Sequence, residues 1–167
     1  MSEPSSATKP PVNTGKVAGR RELHFHNFRE VLADAERLSQ GNYTCLGNWS
    51  LGQVCKHLAE GIHMTIDGVS FKVPLIIRLI GPLFLKRRIL SKGMSPGIKL
   101  PPSAAKQLIP AETSTEEGLK ALRFAIERLE SEEKRAPSPF LGKLTREESD
   151  QVQLRHAELH LSFVVPK

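Results

Sequence analysis

Four segments of this chain repeat apolar residues every three or four positions, and none alternates them every two. That pattern selects helices with one buried face over half-buried strands. From about Arg20 to Gln40, the residues His24, Phe28, Val31, Leu32, Ala35 and Leu38 share a face, and Gly41 closes the segment. Ser50 suits the N-cap of a second helix running to about Val69. Its stripe is Leu51, Val54, Leu58, Ile62, Thr65 and Val69, with Gln53, Lys56, Glu60, His63 and Asp67 opposite and His57 on the border. The third helix opens on a capping box, Ser114-x-x-Glu117, carries Leu119, Leu122, Ile126 and Leu129, and ends before Ala136-Pro137. The fourth repeats the device at Thr145-x-x-Glu148 and continues to about Val164. The expected fold is all-α: a four-helix bundle with one long crossover between the second and third helices.

At 167 residues, 39% hydrophobic and 25% charged, the chain suits one domain plus a tail. Residues 1–18, with Pro4, Pro10 and Pro11 among small polar residues, read as a disordered tail, and 19–167 as the bundle domain. Nothing near Met1 resembles a signal peptide, and two cysteines without CxxC spacing suit a reducing, cytoplasmic setting. Aromatic residues are only 5%, which argues against a surface that stacks nucleic-acid bases.

The net charge of +6 is local. Between Gly68 and Ala111 there is no acidic residue, while Lys72, Arg78, Lys86, Arg87, Arg88, Lys92, Lys99 and Lys106 are basic. Residues 71–112 form a basic crossover punctuated by Pro96, Pro101, Pro102 and Pro110, read first as a solvated connection. Within it Val73–Leu85 is apolar but too short to span a bilayer, so a short helix from Leu75 to about Ile89, broken near Pro82, is expected. A lesser reading anchors Leu83, Phe84 and Leu85 at an anionic membrane surface through Lys86, Arg87 and Arg88.

The chemistry rests on histidine. His156 and His160 are four apart and face the bundle core with Val152, Leu159 and Phe163, whereas Arg155 and Glu158 are expected to point away. A lone histidine on an apolar face is as a rule a satisfied core residue. Two together are costly to bury unless both are partnered, and a shared divalent cation would partner both. His57 is the natural third ligand, because Gly61 one turn on leaves room beside it. Three protein ligands with one position open are the pattern of catalytic rather than structural sites. His26 and His63 read as surface residues, and His24 as a second-layer or fourth group. Trp49 reads as a hydrophobic staple before the N-cap rather than a pocket residue, and Cys55 as a small packing residue.

One histidine midway along Asn48-Trp49-Ser50-Leu51-Gly52-Gln53-Val54-Cys55-Lys56-His57-Leu58, with an HxxxH pair in the last helix, resembles the DinB-like (YfiT-like) superfamily of metal-binding four-helix bundles. Ser138-Pro139-Phe140-Leu141-Gly142-Lys143-Leu144-Thr145, then Arg155-His156-Ala157-Glu158-Leu159-His160-Leu161, is similar to a branch catalogued as a domain of unknown function. Met94-Ser95-Pro96-Gly97 also fits that branch, and the resemblance covers about Arg20 to Val165. It implies a triad of His57, His156 and His160 holding nickel, zinc or a similar divalent ion, a shallow pocket beside it, and frequent homodimers. Characterised relatives include transferases and isomerases that use low-molecular-weight thiols such as mycothiol or bacillithiol. The branch pattern departs at Ser149, where an aromatic residue is expected, and at Leu161, where a second adjacent histidine is expected.

Two functions follow. The first is a metal-dependent enzyme, a thiol transferase, isomerase or hydrolase acting on a small molecule; imidazole ligands suit Zn and Ni foremost, and Fe, Mn or Cu as well. The second is a non-catalytic bundle that binds metal or a small ligand, favoured by the lack of a secure general base. Glu60 lies on the polar side of its helix, and Glu158 away from the pair.

Overall fold

The computed structural model describes residues 11–71, 73–97 and 108–167. These are mostly helical, with one short two-stranded ribbon. In chain order they form α1 (Phe28–Gln40), β1 (Tyr43–Cys45), α2 (Leu51–Asp67), α3 (Leu75–Ile80) and a π-helical turn (Gly81–Leu85). Then come α4 (Lys86–Lys92), α5 (Thr115–Ser131), α6 (Arg146–Leu161) and β2 (Val164–Pro166). Residues 1–10 of the expected tail, and the Pro101-Pro102 part of the crossover with Lys99 and Lys106, lie outside the described residues.

The four long helices start where their caps say. Ser50 and Gln53, Ser114 and Glu117, and Thr145 and Glu148 each form a reciprocal capping box at the head of α2, α5 and α6. Asn27 caps α1 by accepting from Glu30 N. The expected helix from Arg20 therefore begins eight residues later, because the preceding backbone is spent elsewhere. Arg21 N donates to Ser162 O, and Phe25 N to the Glu158 carboxylate. At the other end of α2, Gly68 turns the chain at φ 89°, a conformation open to glycine, so the helix stops short of Val69.

A single core of residues from α1, α2, α5 and α6 runs through Val31, Leu58, Leu122 and Leu161, each at most 2% exposed. The starts of α2 and α5 pack backbone to backbone. A Cβ on Gly52 would lie 2.3 Å from Thr113 O, and one on Gly118 2.3 Å from Gly52 O, so the two backbones touch without side chains between them.

The ribbon was not expected. β1 and β2 pair antiparallel, Tyr43 opposite Pro166 and Cys45 opposite Val164, so α6 ends at Leu161 and the chain returns as a strand. The crossover carries the expected helix from Leu75, which continues to Lys92. Pro82 does not break it: lacking an N–H, it shifts the ladder by one residue into the π turn, where Lys86 N reaches Gly81 O. That turn and α4 pack on α6 through Ile89, Leu141 and Val152, the Lys86–Glu148 ion pair at 2.7 Å, and a bond from Gln151 to Leu90 O. At the other end of the described chain, Val12 exchanges two hydrogen bonds with Asn48.

A candidate metal centre between two helices

His57 projects from α2 and His156 and His160 from α6, and one donor nitrogen of each lies within 4.8 Å of the other two. Their ring centroids are 4.5, 4.7 and 4.9 Å apart. The fit of the two helices depends on Gly61. A Cβ there would sit 3.1 Å from His156 Cε1 and 3.2 Å from its Nδ1, so the room beside His57 is filled by the His156 ring.

The hydrogen bonds around the rings assign the proton of His57. His57 Nδ1 lies 2.8 Å from Leu108 O, which only accepts, so Nδ1 carries the hydrogen and Nε2 is bare. On the α6 side, Thr65 donates its hydroxyl to Gly61 O and accepts from Gln153 Nε2 at 2.7 Å. That turns Gln153 Oε1 towards His156 Nδ1, at 3.4 Å, so an acceptor stands ready for a hydrogen on Nδ1 when Nε2 binds a metal. His57 Nε2 and His156 Nε2 face each other at 3.0 Å, the distance of an N–H···N hydrogen bond in which His156 donates to the bare Nε2 of His57. A divalent cation could take the place of that proton and use both nitrogens as ligands.

Burial pushes the pKa of all three histidines down, with His57 adding to the effect at His156, which falls to about 3. They are therefore neutral around pH 7, the state in which imidazole binds a metal. Trp49 corrects the sequence reading. Its indole stacks on His160 at 5.2 Å and 17° and lies 4.7 Å from His57, so it walls the cluster as well as preceding the N-cap. The physical cue is that helical side chains lean towards the N-terminus, which carries His57 back towards the residue just before α2.

Arg155 points away from the histidine cluster, towards the segment before α1. It does not face solvent: its guanidinium meets Phe25 O at 3.0 Å, the Glu158 carboxylate at 3.0 Å and His24 Nδ1 at 2.8 Å. The segment before α1 covers this side of α6, which leaves the helix little exposed surface. His24 precedes α1 instead of lying on its stripe, is largely exposed, and stands outside the triad. His26 is exposed, and His63 is half-buried beside the Arg128–Asp67 ion pair. Cys55 is buried in the core and its thiol is pushed up to about 12, which suits packing and not ligation. Ser149 and Leu161 are both buried. Gln153, Thr65 and the Leu108 carbonyl were not singled out from the sequence; Gln153, one turn before His156, carried a usable signal, and a backbone carbonyl carries none.

A mostly helical domain with three neutral histidines gathered between two helices defines the class of protein. Within it, the chain belongs to the family described as Protein of unknown function (DUF1569), whose model matches residues 17–167. No curated protein and no solved structure matches the chain.

Proposed function

We propose that this protein is a DinB-like four-helix bundle that holds a divalent metal ion on His57 Nε2, His156 and His160 and acts on a small-molecule substrate with it. The observation that carries this reading is the convergence of one nitrogen from each of three histidines within 4.8 Å, with a hydrogen-bonding partner beyond the rings of His57 and His156. Converging imidazole nitrogens suit neighbouring ligands of one cation, and the outer bonds to Leu108 O and Gln153 are of the kind that orient metal-bound histidines. Zinc or nickel fits this donor set, as iron, manganese or copper would.

When bound, such an ion supplies Lewis acidity that turns a thiol or a water into a nucleophile. Three protein ligands leave room for that group, and Trp49 offers an apolar wall beside it. With a low-molecular-weight thiol as the second reactant, the reaction class is thiol transfer or isomerisation, in a homodimer as in the family it resembles.

A non-catalytic metal- or ligand-binding bundle has one observation in its favour. Glu158 is committed to Phe25 N and Arg155, Glu60 pairs with Lys56, and no carboxylate joins the histidine cluster among the described residues. Plasma mass spectrometry on untagged protein tests the shared premise. Near-stoichiometric metal in the wild type, lost in His57→Ala and His156→Ala, is the expected result. A wild type that carries none and cannot be loaded with zinc or nickel would end both metal readings. Loaded protein without thiol-dependent turnover of electrophiles would leave the binding reading.

A further inference from the structure

We infer that the crossover helix, α3 through α4, is a docking face for an anionic lipid surface, which it grips from one side without crossing. Leu75, Ile76, Leu79, Ile80, Leu83 and Phe84 are 47–71% exposed, an unusual concentration of large apolar side chains in solvent. They stand in two outward rows at four-residue steps. One row runs Leu75, Leu79, Leu83, Arg87 and the other Ile76, Ile80, Phe84, Arg88, every member exposed. Each row is apolar for three steps and cationic at the fourth.

The π turn is what keeps these rows on one face past Pro82, since a clean break there would have divided them. The opposite side is already used. Ile89 packs on Leu141 and Val152, and Lys86 is paired with Glu148. Lys86 and the half-buried Leu85 thus belong to the inner side, and the anchor is Leu83, Phe84, Arg87 and Arg88 with the earlier apolar turns.

Charge selects the occupant. Arg78, Arg87, Arg88 and Lys92 are exposed and pair with no carboxylate among the described residues, and Gly68 to Ala111 contains no acidic residue. A second copy of the chain would bring the same cations and no acid in this face to meet them. A bilayer with anionic headgroups offers both an apolar layer for the first three turns and negative charge for the last. No helix among the described residues is long and apolar enough to cross a membrane, so the contact is peripheral.

Co-sedimentation of the full chain with phosphatidylcholine vesicles, with and without about 30% phosphatidylserine, tests this. Binding to the serine-containing vesicles in 0.1 M salt, at least tenfold weaker to neutral vesicles and lost in 0.5 M salt, is expected. Arg87→Gln/Arg88→Gln should weaken it roughly thirtyfold, and Phe84→Glu should abolish it. Both variants change exposed positions, and unchanged thermal transitions would show that they fold. No binding of the wild type to either vesicle overturns the inference, as does a folded Phe84→Glu that binds like the wild type. A dimer in sedimentation velocity that Phe84→Glu dissociates, without vesicle binding, would assign the face to self-association instead.

Discussion

Single residues decide whether the histidine cluster is a ligand set or a packing accident. Gln153 offers His156 Nδ1 an acceptor at 3.4 Å, and it is itself held by Thr65 and the Gly61 carbonyl. Gln153→Leu removes that acceptor and should lower metal affinity ten- to hundredfold. Gln153→Glu keeps an acceptor and should largely restore it; competition with a chromophoric chelator measures both. The residues that hold the metal in this reading were legible because imidazoles at i and i+4 on an apolar face are conspicuous in any sequence. Trp49 and Leu108 were not. One is read as a staple by its place before Ser50, and the other acts through a carbonyl that every residue possesses.

At the scale of the elements, the ends of the helices were far more legible than their surroundings. Capping boxes are local chemistry, and Ser114 and Thr145 begin their helices as their spacing predicts. The approach of α2 to α5 is not local, since Gly52 and Gly118 are helical glycines with no turn to form. Gly118→Ala raises helix propensity by about 1 kcal/mol, yet its methyl would meet the Gly52 carbonyl at 2.3 Å. Overpacking against backbone should win. We expect a net loss of about 2 kcal/mol or more in urea denaturation, whereas glycine-to-alanine changes at unconstrained helical sites stabilise. The two strands escaped notice for a related reason: each is three residues long and finds its partner across more than a hundred positions of chain.

For the whole molecule, the histidine cluster, buried at His57 and half-buried at His156 and His160, ties stability to pH and to metal. In the metal-free protein burial holds all three below the ordinary 6.5, with His156 at about 3. The unfolded chain therefore takes up protons near pH 6.5 that the folded chain refuses until lower pH. The unfolded state binds more protons throughout that window, so stability is complete above pH 6.5 and falls as pH drops through it. The slope reaches about 1.4 kcal/mol per pH unit for each histidine. Urea titrations between pH 7.5 and 4.5 should show this loss in the wild type and a shallower one in His156→Ala. Zinc or nickel at a hundred times its dissociation constant should add about 2.7 kcal/mol, visible as a raised melting temperature that His57→Ala abolishes.

Local pattern was enough for the four long helical segments, the caps of α2, α5 and α6, and the shared face of His156 and His160, because periodicity, capping and the i, i+4 relation act within a few residues. Only the tertiary structure decided that Arg155 is covered, that Trp49 walls the cluster, that the chain ends as a strand against β1, and that the crossover turns six large apolar side chains outward. Each of those depends on which surface arrives from a distant part of the chain. A side chain facing away from its own helix's stripe can be either exposed or buried, and the neighbour that settles it is nowhere in the local pattern.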